Sequence, residues 1–535
     1  MPAAPRPIRF RLGEDLVEVD DVPPMTTALD WLRGPGRRLG TKEGCAEGDC
    51  GACTVVIGTP CTVVTGAPGR SERLRLEPVN ACLLPLPALD GRQLYTVEDL
   101  GTAESLHPVQ QALVDCHGSQ CGFCTPGFVM SLWSLYEDAG APANGSEGTA
   151  PVPGDAAGVR AAVCSRIAGN LCRCTGYRPI IDAGISALSQ RRAVGAAHRP
   201  RLDHRAAAAA LARWSDGGDF IYRHGDAQWI APQSLDALVD ARAADPSAVI
   251  VAGNTDTGLW VNKALRDLPR VIHTGRVAEL QQIVEINGGQ QAEPGTGGLW
   301  IGAAVSLERA FEVLCRNWPE LGATWERFAS PPIRHAGTLG GNVANGSPIG
   351  DGPPALIALD AAIELRAATG ARRLAIERFF VDYRQTELRA DEVVVAVVVP
   401  PRPRSARLRA YKVARRHDSD ISAIYAALRV DLDGDGTVIA ARLAFGGMAA
   451  IPKRAAGAEG ALVGQPWSEG SVRAAMTVLA ADFTPIDDHR ASAVYRRRVA
   501  GNLLWRFWLE TRSLQPFRPD EASVFAAATA PGAAP

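Results

Sequence analysis

The sequence has no surplus of either charge, few aromatic residues and no apolar run long enough to cross a bilayer. Its 56 basic and 58 acidic residues nearly cancel, which argues against nucleic acid or an anionic membrane surface as a partner. Residues 1–10 lack the apolar core of a secretory leader, so a soluble, cytoplasmic protein is expected. Cysteine is too sparse for a disulfide scaffold, at twelve in 535 residues. In a reducing compartment, clustered cysteines more often bind metal or do chemistry. Neither glycine-rich loop fits G-x-G-x-x-G, so a Rossmann dinucleotide site is not supported. A chain of this length exceeds one hydrophobic core and should form roughly three to five domains.

Eight of the cysteines fall into two groups. Cys45, Cys50 and Cys53, with Cys82 further on, have the C-x4-C-x2-C…C spacing that wraps a plant-type [2Fe–2S] centre. Gly44, Gly48 and Gly51 let the backbone curl closely around such a cluster. The second group pairs Cys121 and Cys124 with Cys172 and Cys174. Taken alone, that pattern leaves zinc and an iron–sulfur cluster both open.

Around the first group, Ile8, Phe10 and Leu12 alternate as a strand. A turn at Gly13 and a return through Leu16–Val19 follow, then a short helix capped by Thr26 or Thr27 and a strand at 54–57. Around the second, helical spacing runs from His107 to Asp115. Thr125 and Pro126 suit an N-cap and first turn for a helix through Tyr136, and another helix is expected to end at Gly169 and Asn170. A further helix should run from about Pro179 to Ser189. Residues 139–157 read as a flexible loop and 191–214, rich in Ala and Arg, as a linker without folded pattern. An α/β unit begins near Asp219. Val249–Ala252 is a β run ending in the loop 253–258, and a second glycine loop spans 337–351. Val393–Val399 is a β-branched strand. A last unit, to about 515, should hold a hairpin (428–430 against 438–444) and two helices, before an Ala/Pro-rich tail expected to be disordered.

Each glycine loop alone is a weak signal. Two in one unit, each after an apolar run, suit a cofactor with a diphosphate, because glycine admits close approach and successive amides form an anion nest. Asp431, Asp433 and Asp435 begin like a calcium loop, but Arg442 occupies the glutamate position, so a hairpin turn is expected. Cys61, Cys116, Cys164 and Cys315 are expected to be buried thiols. His117, His335 and His417 are given no role.

The stretch Gln120, Cys121, Gly122, Phe123, Cys124, Thr125, Pro126, Gly127, Phe128 and the stretch from Gly169 to Ile180 containing Cys172, Arg173 and Cys174 closely resemble the second iron–sulfur domain of the xanthine oxidase family of molybdenum hydroxylases. Glu43–Thr54 and Asn80–Leu83 look like its plant-type domain, and the two glycine loops look like the FAD loops of its flavin domain. Phe379, Phe380, Tyr383, Arg384 and the run Tyr411–Ile421 extend the likeness, which covers about residues 8–512. It implies a multidomain α+β chain. In order these are a β-grasp plant-type ferredoxin domain (1–98), a helical-bundle [2Fe–2S] domain (99–191), a linker (192–215), an α/β FAD-binding domain similar to vanillyl-alcohol oxidase (216–402), a C-terminal α+β flavoprotein domain (403–515) and the tail (516–535). The spacing between Cys53 and Cys82 is longer than the family's.

The resemblance further implies one [2Fe–2S] cluster on Cys45, Cys50, Cys53 and Cys82 and another on Cys121, Cys124, Cys172 and Cys174. FAD would contact Gly253, Asn254, Thr255, Asp256, Thr257, Gly258, Phe328, Thr338, Gly341, Asn342, Asp351, Val394 and Lys412. Gln120 would touch the pterin, and Asp256 and Tyr383 would lie on the NAD+ side of the flavin. No catalytic acid or base is assigned. The domain order resembles small subunits of bacterial xanthine dehydrogenases. The implied partner is a large subunit holding the molybdenum-pterin cofactor, in a heterotetramer of two small and two large chains, with neither nucleic acid nor membrane involved. NAD+ is the implied acceptor, and nothing in the sequence excludes oxygen. The alternatives are the same module serving an aldehyde or N-heterocycle hydroxylase, or a self-standing NADH-dependent reductase.

Overall fold

The computed structural model describes residues 4–65, 69–139, 155–194, 202–214, 217–286 and 297–518. Most of the 139–157 loop and the tail from 519 lie outside these residues.

The N-terminal unit is a five-stranded mixed sheet, in the order Asp15–Val19, Ile8–Leu12, Gln93–Tyr95, Thr54–Thr65, Gly69–Asn80. Ile8, Phe10 and Leu12 point into the core beneath the short helix Ala28–Arg33, giving a β-grasp arrangement. Thr27 caps that helix by accepting from the Asp30 amide. The long spacing between Cys53 and Cys82 is taken up by two twelve-residue strands paired from Thr54↔Asn80 to Thr65↔Gly69. The extra residues lengthen a hairpin and leave the cysteine loop at its root.

Four helices follow: Pro108–Asp115, Thr125–Asp138, Ala156–Arg166 and Arg178–Val194. Thr125 is the first helical residue rather than the cap; Cys124 takes the cap position in a helical backbone conformation. The third helix ends at Arg166, ahead of the expected Gly169. His204–Trp214 lies within the expected linker yet is an α-helix. Ala207, Ala208 and Leu211 are buried, and the His204 ring meets the Tyr95 hydroxyl at 2.9 Å. Alanine has the highest helix propensity, and one apolar stripe suffices to dock such a helix.

The flavin-loop region holds a four-stranded sheet (Phe220–His224, Ala227–Ala231, Arg270–His273, Val249–Val251) and a five-stranded antiparallel sheet (Ile283–Ile286, Gly298–Gly302, Val393–Val399, Ala362–Ala367, Gly370–Ala375). Val393–Val399 is its central strand, buried on both faces, which explains its valine run. The last unit is a four-stranded sheet built on Ile424–Leu432 and Val438–Gly446, whose turn is closed by Asp433 accepting from the Asp435 and Thr437 amides. It carries three helices rather than two: Ala456–Leu462, Glu469–Asp482 and Ala493–Thr511. Cys61, Cys116, Cys164 and Cys315 are only partly buried, against expectation. Among the described residues no helix is long and apolar enough to cross a membrane.

Two units share a core. Ile8, Phe10, Trp31 and Leu83 pack in one cluster with Phe220, Tyr222, Trp229 and Val271 of the four-stranded sheet. The Tyr222 hydroxyl donates to the Val22 carbonyl at 2.6 Å, and buried Asp90 joins Arg6 to Arg276. The helical unit is fastened at Asn170. Its side-chain amide donates to the Gly51 carbonyl at 3.0 Å and to Thr54 Oγ1 at 3.3 Å, and its oxygen accepts from Ser131 Oγ at 2.7 Å. Asn170 is 3% exposed, so truncation strands several polar groups at once. Asn170→Ala should cost about 2–3 kcal/mol in denaturant unfolding, and a loss too small to measure would show that this joint carries no stability.

Candidate functional site: two cysteine sets and a glycine-loop cradle

The first cysteine loop sits at the root of the long hairpin, and its four sulfurs associate in pairs, Cys45 with Cys50 and Cys53 with Cys82. Cys45 Sγ also accepts from the Cys50 and Glu47 amides at 3.4 and 3.5 Å. These contacts, the Cys50 thiol first, hold Cys45 down to about 5, whereas Cys50 is pushed up by the same contact and by burial. The Asn80 side-chain amide points at Cys53 Sγ from 3.9 Å. Gly51 has a φ of 68°, and a Cβ there would lie 2.2 Å from the Gly169 carbonyl oxygen. Only glycine fits that turn and that approach.

The second set follows the same two-plus-two rule. Cys121 pairs with Cys174, both exposed, and Cys124 pairs with Cys172, both half-buried. Burial, then Cys172, pushes Cys124 up to about 12. Burial opposes ionisation of Cys172, yet the Thr175 hydroxyl at 3.2 Å and nearby amides lower it. Among the described residues no group of three or more ligating side chains converges as a mononuclear metal site would require. A tetrahedral zinc ion needs four sulfurs around one point. A [2Fe–2S] cluster divides its four cysteines between two irons, and sulfur pairs suit that division. Both sets therefore have the donors and the arrangement to hold such clusters.

The cysteine loops and the glycine loops touch. Leu171 donates its amide to the Cys50 carbonyl at 3.0 Å, linking the second set to the first. On the other side, buried Asn254 (φ 56°) donates to the Leu83 carbonyl at 2.9 Å and accepts from Thr257 Oγ1 at 2.7 Å. The short helix Thr257–Asn262 runs from the loop to the cysteine loop. There the Asn262 amide bonds the Cys82 and Ala46 carbonyls at 2.7 and 3.1 Å, and Lys263 Nζ bonds the Cys45 carbonyl at 2.6 Å. Asn262 and Lys263 could not be singled out from the sequence, because their partners lie some two hundred positions away.

The two glycine loops form one cradle. A Cβ on Gly253 would fall 1.8 Å from the Ala336 carbonyl oxygen, so the loops are in contact there. Gly258 packs against Asn254 and Leu83. Thr338 caps Leu339–Ala344 by accepting from the Gly341 amide, and the Asn342 side-chain oxygen beside it is buried without a partner. Thr255 lies near Gly337, and Asp256 begins the short helix without capping it. At the floor, buried Lys412 pairs with Asp351, and Ser422 bonds both, at 3.0 Å to Lys412 and 2.6 Å to Asp351. Phe328 stacks on Trp325 at 5.1 Å, and Arg327 bonds the Lys412 carbonyl at 3.0 Å. Val394 is half-buried on the central strand. Tyr383 is 56% exposed, and Gln120 is exposed beside Cys121. An orphaned acceptor and glycine-lined contacts fit a diphosphate-bearing cofactor.

Three family profiles match the chain: a "[2Fe-2S] binding domain" over 96–184, an "FAD binding domain in molybdopterin dehydrogenase" over 225–402 and a "CO dehydrogenase flavoprotein C-terminal domain" over 409–511. Xanthine dehydrogenase of Emericella nidulans is 31% identical over 95% of this chain and 39% of its own length, and aldehyde oxidase 1 of Bos taurus is 29% identical over 94% and 39%. The chain belongs to the xanthine oxidase family of molybdenum hydroxylases, as an iron–sulfur and flavin module. It spans about two fifths of the length of those relatives. A solved carbon monoxide dehydrogenase chain from Hydrogenophaga pseudoflava aligns with 52% of this chain and 94% of its own at 26% identity and a TM-score of 0.48.

The Lys412–Asp351 pair yields a prediction in this module. Burial raises the Asp351 carboxyl above its ordinary range despite Lys412. A raised folded-state value means that ionising Asp351 costs stability as pH rises through it, a cost Lys412 offsets. Lys412→Met should lose about 3–5 kcal/mol at pH 7. That deficit should shrink on acidification toward the ordinary carboxylate range, as Asp351 takes a proton. Urea unfolding at both pH values checks this; a deficit independent of pH would mean that Lys412 acts by packing alone.

Proposed function

We propose that this chain is the electron-transfer subunit of a xanthine dehydrogenase, taking part in xanthine + NAD+ + H2O → urate + NADH + 2 H+ in purine catabolism with a separate molybdenum-pterin subunit. One observation carries the reading: the Cys45–Cys53 loop is hydrogen-bonded to the Cys172 loop on one side and to the glycine-loop helix on the other. When bound, the iron pairs would supply one-electron relay sites, and FAD would join single electrons to two-electron hydride transfer.

The residues have separate tasks. Cys45 with Cys50, and Cys53 with Cys82, would each hold one iron of the plant-type cluster, and Cys121 with Cys174 and Cys124 with Cys172 would do so in the helical one. Gly253 to Gly258, Thr338, Gly341 and Asn342 would hold the flavin's diphosphate. Phe328, Asp351, Val394 and Lys412 would line the remainder, and Asp256 and Tyr383 would face NAD+. Exposed Cys121 and Cys174 lie on the open side of the series, with Gln120, Phe123 and Leu171 exposed close by in sequence. That side suits docking of the pterin subunit, in a heterotetramer of two small and two large chains. Twelve cysteines with no disulfide between them suit a reducing cytoplasm.

Aldehyde oxidase 1 among the relatives supports a second reading, in which the same module serves a hydroxylase of another substrate. Turnover of xanthine against aldehydes by the co-purified complex distinguishes the two. Cys124→Ser should leave flavin content and NADH–dye activity within about twofold while lowering xanthine-dependent NAD+ reduction at least about a hundredfold, a loss of about 2.7 kcal/mol or more in transition-state terms. Unchanged xanthine turnover would refute the order in which the sites are arranged.

A further inference from the structure

Beside the second cysteine set, Cys172, Thr175 and Tyr177 close a small ring of polar contacts. The Cys172 amide donates to the Tyr177 hydroxyl at 3.1 Å, and the Tyr177 amide donates to Thr175 Oγ1 at 3.2 Å. Thr175 Oγ1 in turn lies 3.2 Å from Cys172 Sγ. That approach is closer than the 3.4 and 3.5 Å amide contacts to Cys45 Sγ and the 3.9 Å contact of Asn80 with Cys53 Sγ. Thr175 and Cys172 are both half-buried, so water competes only in part for the hydroxyl.

The turn that closes the ring is a strained one. Gly176 and Tyr177 both have left-handed backbone conformations, with φ of 65° and 69°. Glycine adopts that conformation freely, whereas a residue with a bulky side chain does so at a cost. Tyr177 is held in it by three contacts: its amide on Thr175, its hydroxyl on the Cys172 amide, and its ring edge-on to Phe128 at 6.4 Å. Strain of this kind persists where the surroundings enforce it, and it gathers at functional sites. Chemistry then fixes the roles within the ring. A backbone amide only donates, so Thr175 Oγ1 accepts from Tyr177 and keeps its own proton for a further partner. A cysteine that ligates a metal has lost its proton, and its sulfur only accepts. The Thr175 hydroxyl is therefore the donor to Cys172.

We propose that Thr175 raises the reduction potential of the helical-domain cluster by donating its hydroxyl proton to Cys172 Sγ. The inference rests on the assignment of Cys172 as an iron ligand. A hydrogen bond to a ligating sulfur draws electron density away from it and so favours the state that carries the extra electron. Thr175 touches no iron; it is a positioning residue that acts through Cys172, and Tyr177 aims it. Amides of Cys174 and Thr175 also turn toward the same sulfur, so removal of the hydroxyl weakens the donor field without emptying it. Leu171, the neighbour of Cys172, is bonded to the Cys50 carbonyl. The tuned residue thus stands next to the contact between the two cysteine sets.

The full chain carrying its iron and flavin should be titrated potentiometrically and followed by electron paramagnetic resonance, which separates the two iron–sulfur signals. The signal altered in Cys124→Ser identifies the helical set. In Thr175→Val, which keeps the side-chain shape without the hydroxyl, that signal should be about tenfold harder to reduce, about 59 mV lower for one electron. Its g values should move as well, while the other signal keeps its potential. Thr175→Ser, which restores the hydroxyl, should recover most of the difference. In reduced wild type, electron–nuclear double resonance after transfer to D2O should show a fast-exchanging proton coupled to the helical signal. An unchanged potential in Thr175→Val with both signals present would overturn the proposal. So would equal shifts in the valine and serine variants, which would make packing the cause. Where Thr175→Val loads no iron, the double-resonance spectrum of wild type decides, and the absence of that exchangeable proton overturns the proposal. A wild-type chain lacking two such signals would overturn the ligand assignment itself, and this inference with it.

Discussion

Everything in this module depends on the short loop from Cys45 to Cys53 being gripped from both sides. Its carbonyls are the acceptors: Cys50 and Gly51 take hydrogen bonds from Leu171 and Asn170, and Cys45 and Ala46 take them from Lys263 and Asn262. A loop wrapped around an inorganic cluster turns its amides inward toward sulfur, as the Glu47 and Cys50 amides do here. The carbonyls are thereby turned outward and would lack partners at an interface. The neighbouring units supply side-chain amides and an ammonium group to meet them. The same inversion that suits the loop to sulfur also makes it the joint between three units.

The cradle obeys a different rule. At the cysteine loops the polar groups belong mostly to the backbone, whereas at the floor of the cradle the central feature is a buried ion pair. Lys412, Asp351 and Ser422 satisfy one another in a nearly closed triangle. Such a pair contributes little net stability, because desolvation offsets attraction. It does fix the strand Ala406–Val413 against the helix Gly352–Ala358, since a shift of either would leave a bare charge. Arg327 extends the same clamp by bonding the Lys412 and His417 carbonyls. Rigidity of the cradle is therefore obtained from the cost of breaking the pair rather than from its strength.

What could be read in the sequence was what is encoded locally. Cysteine spacing, the β alternation at 8–12 and the valine run at 393–399 each lie within a few residues, and each appears in the structure. The Thr27 cap is of the same kind. Features depending on distant partners were illegible. Asn170 and Asn262 look like ordinary polar residues until the chain brings Gly51 and Cys82 to them, 119 and 180 positions away. The helix His204–Trp214 was hidden for another reason: alanine gives almost no periodic contrast, so a docked helix looks like a linker. Thr125 was displaced from the cap by one residue because Cys124 is committed to its pair with Cys172.

No general acid or base is assigned among these residues, and the work of an iron–sulfur and flavin module at its cysteine loops asks for none. Proton transfer calls for a titratable group close to a reacting atom, with a pKa matched to the medium. Relay of single electrons calls for rigid spacing and for dipoles that set potentials, and it is harmed by mobile protons. The residues around the cysteine loops match the second need: glycine, asparagine, threonine and main-chain amides, with Lys263 as a fixed charge at the rim. Titratable side chains gather instead behind the cradle, where Glu77, Arg92, His273 and His335 line one cavity. Around the sulfurs mostly neutral dipoles are presented, and the charges there, Lys263 and Glu47, are paired with each other at the exposed rim.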